Sequence, residues 1–201
     1  MGRDFNRKGI AKACIKVDLK KAFDTVNRDF VYHIMHCMGF HMKWIQWMRE
    51  CIGTPTFSIM LNGSPSGYIT SNRGIRQGDS LSPYIFVLVI EFFSIQMEIF
   101  AAFGKFKPIK RTPGGGVIAH LLFADDMLIF TKSNACSIKA EDSLLDLLSI
   151  NTGLSINKER SKIFFSKGCK RKEGVKKVIG IGEGKLPVKY LGMPLSVTIY
   201  K

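Results

Sequence analysis

Two adjacent carboxylates, Asp125 and Asp126, sit in the middle of an apolar, aromatic and β-branched run, Ala119-His-Leu-Leu-Phe-Ala-Asp-Asp-Met-Leu-Ile-Phe130. Such a run reads as two buried strands, 117–123 and 127–131, so the acids fall at the tight turn of a hairpin. Neighbouring like charges at the tip of a buried hairpin are costly unless a positive group meets them. A divalent cation answers that need, because hard oxygen ligands suit Mg²⁺. A second acid points the same way. Cys14-Ile-Lys-Val-Asp18 is a short apolar strand that ends in a carboxylate. If the two strands are neighbours in one sheet, Asp18 and Asp125 converge.

The chain has 201 residues and is 46% hydrophobic, enough for one globular domain with a real core. Lys and Arg number 30 against 16 Asp and Glu, a formal net charge of +14. A charge of that size suits a polyanionic partner better than a small metabolite. Basic residues crowd the last third, where eleven lie between Lys158 and Lys189; a solvated surface is the commoner fate of such a run. Here it accompanies an acidic cluster, a combination that suits a phosphate backbone lying across a metal site. Five scattered cysteines without a Cys-x-x-Cys pair indicate neither disulfides nor a zinc ribbon, and fit a reducing, intracellular compartment.

Periodicity supplies the remaining elements. Asn27 or Arg28 opens a helix to about Met38, with Phe30, Ile34 and Met38 as its apolar stripe. A helix over 41–51 turns Trp44, Ile45 and Met48 inward. Strands 56–61 and 68–70 flank an Asn62-Gly63 turn. A long apolar helix begins at Ser82-Pro83 and ends near Phe103; Glu91, Gln96 and Glu98 interrupt it, so it is expected to be buried and not to span a membrane. Residues 104–116 form a surface loop, and 134–150 a helix carrying Leu144, Leu147 and Leu148. Residues 163–166 and 188–191 are strands. His33, His36, Cys37 and His41 are read as ordinary helix residues, and Gly180-Ile-Gly182-Glu-Gly184 as a loop. This order describes an α+β fold, an antiparallel sheet with helices packed on one face. The chain is expected to divide into a main domain, 1–166, and a basic segment, 167–201, that carries the strand over 188–191.

Arg73-Gly-Ile-Arg-Gln-Gly-Asp-Ser-Leu-Ser-Pro-Tyr-Ile-Phe86 joins Val17-Asp-Leu-Lys-Lys-Ala-Phe-Asp24 and Phe123-Ala-Asp-Asp126 in a recognisable series. The series resembles the palm of reverse transcriptases, most closely those of non-LTR (LINE-type) retrotransposons. Gly153-Leu-Ser-Ile-Asn157 with Ser161-Lys162, and Lys189-Tyr-Leu-Gly-Met-Pro-Leu195, resemble the two motifs that follow in that family. Any one motif is weak, but five in order are specific.

The resemblance implies an RNA-directed DNA polymerase that joins dNTPs to a primer 3′-hydroxyl, with RNA template and DNA primer as partners. Asp18, Asp125 and Asp126 become the catalytic carboxylates. With the Leu19 carbonyl they would hold two Mg²⁺ ions, for which Mn²⁺ can substitute. Asp126 is the weakest of these ligands, because neighbours on a strand point to opposite faces. Phe23 corresponds to the aromatic that excludes a ribose 2′-hydroxyl, and Gln77 and Gly78 to the turn at the nascent base pair. An RNA-templated RNA polymerase has a similar acid set, and Phe23 argues against it. Arg73, Arg76, Lys158, Arg160 and Lys162 are implied to meet nucleic acid, as are Tyr190, Leu191 and Gly192 of the primer-grip motif. Asp79 reads as a helix cap. Arg160 departs from the family, which has Lys before the Ser. The family's fingers, thumb and endonuclease regions are expected to be missing, which raises a second reading: a truncated, inactive nucleic-acid-binding remnant. Residence in the nucleus or cytoplasm is the matching expectation.

Overall fold

The computed structural model describes residues 11–110 and 117–195. In chain order they form β1 (Lys12–Val17), β2 (Leu19–Lys20), α1 (Ala22–Thr25), α2 (Arg28–Cys37) and α3 (Met42–Gly53). The β3–β4 hairpin (Thr56–Leu61, Ser64–Thr70) and α4 (Ser82–Ala102) follow. Then come β5 (Ile109–Lys110), β6 (Val117–Ile118), β7 (His120–Phe123), β8 (Asp126–Lys132) and α5 (Ala135–Thr152). The chain continues through β9 (Ser155–Ile156), β10 (Lys162–Phe165), α6 (Lys172–Ile179), β11 (Gly182–Glu183), β12 (Val188–Tyr190) and β13 (Met193–Leu195). Two compact units result. One takes the described parts of 1–20, 93–147 and 156–201; the other takes 21–92 and 148–155.

The first unit is built on a five-stranded sheet of order β11-β10-β1-β8-β7. Every pair is antiparallel except β10–β11. Its central strands are buried on both faces, which is why β1 and β8 read as nearly unbroken apolar runs. Ala13, Ile15 and Val17 share one face with Met127, Ile129 and Ile163, and none of the six is more than 1% exposed. Cys14, Leu128, Phe130 and Phe164 make the other face, covered by Ile109, Ile118, Leu121, Val188 and Tyr190. Each fully buried aliphatic side chain contributes roughly 1.5–3 kcal/mol. Burial pushes the Cys14 thiol up to about 12, so it acts as a small apolar group.

Three expectations fail in this unit. The stretch expected as a surface loop from 104 buries Phe106, 1% exposed, and forms β5 at Ile109–Lys110. The strand over 117–123 is broken at Ala119: β6 pairs with β5, while β7 forms a sheet edge. An edge strand is open on one side, so β7 is only half-buried and Phe123 is 61% exposed. The glycine-rich stretch is not all loop either. Gly180 caps α6, and Gly182–Glu183 adds a parallel edge to β10. The helix before it escaped notice because Lys172, Lys176 and Lys177 hide its apolar pair, Val175 and Ile179.

In the second unit, Asn27 Oδ1 accepts from the Asp29 and Phe30 amides and starts α2. The buried residues of α2 are Val31, Tyr32, Ile34 and Met35; the expected stripe was one position off, and Met38 is exposed. Helix α3 buries Ile45, Met48 and Ile52, whereas Trp44 faces out and stands edge-on to exposed Trp47. Both strands of β3–β4 are exposed along their whole length. His33 meets Cys37 at 3.6 Å, but no third ligand joins them among the described residues.

Helix α4 starts and ends close to where expected, and it is long and apolar enough to cross a membrane by length and composition. It is buried along a stripe through Ile85, Phe86, Val89, Ile90, Phe93 and Met97, not throughout. Only 33% of its most apolar window is buried, and Tyr84, Val87, Ile95 and Ile99 are exposed.

Candidate active site

The acids of the first unit are positioned by strand register. Strands β1 and β8 pair through Val17↔Met127, so Asp18, the next residue, is level with Asp126. Strands β7 and β8 close through Phe123↔Asp126, which leaves Ala124 and Asp125 as a two-residue turn. Asp125 is exposed at that tip, and Ala124 takes the left-handed conformation (φ 49°) that two-residue hairpins demand.

The backbone of Asp18 is pinned from the segment after β9. Its amide donates to the buried Ser161 hydroxyl at 3.0 Å, and its carbonyl accepts from the Asn157 amide at 2.8 Å. Ser161 also donates its amide to the Asn157 carbonyl, which ties the clamp together. Asp126 is held differently: Lys16 Nζ lies 3.0 Å from its carboxylate. Lys16 stands opposite Lys162 in the β1–β10 register, a like-charge pairing that the ion pair with Asp126 offsets. Tyr190 covers the same face of the sheet. Burial, and then the Asp126 carboxylate, raise its phenol above the ordinary value. Leu191 and Gly192, both at positive φ, turn β12 into β13. Among the other basic candidates, Lys158 makes a long ion pair with Asp142 (3.8 Å), and Lys162 donates to the Glu159 carbonyl. The Arg160 amide donates to Asn157 Oδ1.

The second unit carries Phe23, Arg73, Arg76, Gln77 and Gly78. Phe23 is half-buried, its ring stacked on Phe86 at 5.1 Å and 17°. Gln77 Nε2 donates to Asp24 Oδ1 at 3.0 Å, and Gly78 follows at φ 84°. Arg73 and Arg76 are exposed on the same turn, beside a cavity of about 550 Å³ whose walls include Asp24, Ile52, Phe57 and Ile75. Asp79 Oδ1 accepts from the Leu81 amide two residues on, an Asx turn leading into α4; Leu81, whose carbonyl accepts from the Ile85 amide, takes the cap position expected of Asp79.

The family model for reverse transcriptase (RNA-dependent DNA polymerase) matches residues 3–195. The chain belongs to the reverse transcriptase family.

Within the family the similarity runs to R2 retrotransposable elements. The chain is 26% identical over 148 residues to a Pol polyprotein of the type-1 R2 element of Popillia japonica, covering 73% of this chain and 20% of that one. It is 25% identical over 197 residues to the Pol polyprotein of the type-2 element R2DM of Drosophila melanogaster, covering 90% of this chain and 17% of the relative. An uncharacterized mitochondrial protein of Arabidopsis thaliana is 43% identical over 68 residues, or 34% of this chain and 56% of that protein. This reverse transcriptase chain thus spans about half of one relative and about a fifth of the others. Telomerase from Candida tropicalis shares the fold, with a TM-score of 0.65 at 13% identity over 96% of this chain and 30% of that one. The polymerase-palm class expected from sequence is therefore the observed one.

Reverse transcriptases use divalent metals, and the donor chemistry here suits one in part. No hydrogen bond or ion pair engages the Asp18 or Asp125 carboxylate among the described residues. Two unengaged hard-oxygen groups at neighbouring strand ends are the ligands a small divalent cation takes. Asp126 differs, since its charge already faces Lys16. Among the described residues no three His, Cys, Asp or Glu side chains form a metal-holding group. Sequence reasoning named the acids but missed Lys16, Ser161 and Asn157 as their supports. Asn157 and Ser161 stood in the motif after the acidic hairpin, and Lys16 shares one strand face with Cys14 and Asp18; the contacts themselves had no local signal.

Proposed function

We propose that this chain is the palm of an RNA-directed DNA polymerase, adding dNTPs to the 3′-hydroxyl of a DNA primer on an RNA template. One observation carries the reading. In a chain of this family, the β1–β8 register brings Asp18 level with the acidic tip that bears Asp125.

Asp18 and Asp125 are the carboxylates that would hold Mg²⁺, with Mn²⁺ as a substitute and the Leu19 carbonyl as a further oxygen. When bound, two such ions lower the pKa of the attacking hydroxyl and neutralise charge on the leaving pyrophosphate. The Ser161–Asn157 clamp fixes the backbone of Asp18, so that its carboxylate needs little reorganisation. Lys16 holds Asp126, and thereby the start of β8, against β1. Tyr190, Leu191 and Gly192 form the hairpin that would seat the primer end. Phe23, its ring backed by Phe86, would exclude a ribose 2′-hydroxyl. Gln77 and Gly78 would meet the nascent base pair, while Arg73, Arg76, Lys158, Arg160 and Lys162 supply charge for phosphates.

Substituting Asp125→Asn in the purified chain tests this. Wild type is expected to incorporate dNTPs on a primed RNA template only with Mg²⁺. The variant is expected to lose incorporation by about three orders of magnitude or more, while its affinity for the primed template stays within about twofold. Undiminished incorporation by the variant refutes the role of Asp125. The net charge of +14 favours a second reading, binding without catalysis. A wild-type chain that binds RNA in a salt-sensitive way and incorporates nothing would establish it.

A further inference from the structure

The first half of the turn over 71–78 is fastened by the Arg28 side chain from outside it. Arg28 is the first residue of α2, directly after the cap Asn27. Its Nη1 donates to the Ser71 carbonyl at 2.6 Å, and its Nε to the Gly74 carbonyl at 2.7 Å. Nη2 reaches the Arg73 carbonyl at 3.4 Å. One planar fork therefore gathers three carbonyls from four consecutive residues.

Other fastenings of the turn come from the same stretch of chain. The Gly74 amide donates to the Val26 carbonyl at 2.8 Å and the Ile75 amide to the Phe23 carbonyl at 2.7 Å. Gly74 sits at φ 85°, and a Cβ there would stand 2.6 Å from the Asp24 carbonyl, so the two backbones touch. Gln77 is held by Asp24. The segment 23–28 is the cradle of the turn, and Arg28 is its far post.

Helix polarity argues against a cation at this place unless it has another task. The N-terminus of a helix favours acids and disfavours Lys or Arg. Three carbonyl dipoles pointing at the guanidinium offset that cost. Lysine could not replace it, because an ammonium is a compact point donor and cannot span several carbonyls in a fixed fork. The turn held in this way turns Arg73, Arg76, Gln77 and Gly78 out to solvent.

We infer that Arg28 is a positioning residue of the polymerase: by clamping the 71–78 turn it sets how Gln77 and Arg76 receive the incoming nucleotide and its template partner. This inference rests on the function proposed above.

The test is Arg28→Lys in the full chain, compared with Gln77→Ala and with the double variant. Primer extension on RNA at varied dNTP concentration gives KM and kcat, and hydrogen exchange reads the amides of 71–78. Arg28→Lys is expected to raise the dNTP KM about tenfold with kcat within about twofold, as loss of binding contacts does. It should also speed exchange at Gly74 and Ile75 while the β1–β8 amides stay protected. In the double variant the KM should rise no further than in the worse single variant, because both act through one turn.

An unchanged KM overturns the inference, and so do KM effects that multiply. Arg28→Gln, which keeps one amide donor, serves if the lysine variant does not fold. Collapse of both would make Arg28 a stability residue and likewise overturn the inference. A wild-type chain without incorporation overturns the function itself, and this role with it. An active wild type with an indifferent Arg28→Lys variant overturns this role alone.

Discussion

Two hairpins in this chain are built on opposite terms. The β3–β4 hairpin has the strongest local signal a sequence can give, an Asn62-Gly63 turn with both residues at positive φ (49° and 83°), yet every residue of its strands is exposed. The β7–β8 hairpin turns through Ala124 and Asp125, a pair with no such preference, and its β8 strand is buried from Met127 to Thr131. Local chemistry specifies the first hairpin and tertiary packing the second. The site built on the acids depends on the second kind, because packing fixes strand register more firmly than a turn does.

Truncation in the two hairpins should therefore have very different costs. Leu128→Ala removes a side chain that is 0% exposed, and is expected to cost about 2–5 kcal/mol. Ile59→Ala, at a residue 53% exposed in β3, is expected to stay within about 0.5 kcal/mol. Urea unfolding of the two variants measures the contrast. Similar losses would mean that β3–β4 is covered in solution and that the comparison is mistaken.

Burial in the first unit has its own cost. Glu141, in α5, is 0% exposed, and among the described residues neither of its carboxylate oxygens has a partner; Thr131 Oγ1 in β8 is likewise unpartnered there. Burial pushes the Glu141 carboxyl well above its usual value of 4.5. Below that value both folded and unfolded chains keep the proton. As pH rises above it, the unfolded chain ionises first, so stability falls with pH until the folded group ionises too. Glu141→Met should therefore stabilise the protein by about 1–3 kcal/mol near neutral pH and by little at about pH 4. Denaturant midpoints of both chains across that range test the sign. A gain independent of pH would show that the carboxylate has a partner in solution.

The same contrast explains what the sequence disclosed. Cap and turn residues act locally, so Asn27 and Asn62-Gly63 could be read directly, and so could the helix that starts at Ser82. The acids stood out because charge inside an apolar run is rare. Which face of a helix is buried depends on distant neighbours, and Trp44 and Met38 were misjudged for that reason. Edge strands such as β11 have too few residues for a period, and the lysines of α6 masked two buried aliphatics. The supports of the site were the least legible. Ser161 lies 143 positions from Asp18 and Arg28 lies 46 from Gly74, and no local pattern announces a contact across such distances.

The smallest effect is the sharpest test of the two turns. Ala124 at φ 49° bears the left-handed penalty of a residue with a Cβ, roughly 1–2 kcal/mol. Ala124→Gly removes that penalty but gives the unfolded chain more freedom, which costs roughly 0.5–1 kcal/mol. The net expectation is a gain below about 1 kcal/mol, with Asp18 and Asp126 left in register. Gly63→Ala is the mirror experiment and should lose about 1 kcal/mol, because alanine would have to adopt φ 83°. Thermal unfolding of the two single variants reads both signs. Were Ala124→Gly to destabilise, packing would not be holding this turn against its local preference, and the distinction between the two hairpins would fail at its tip.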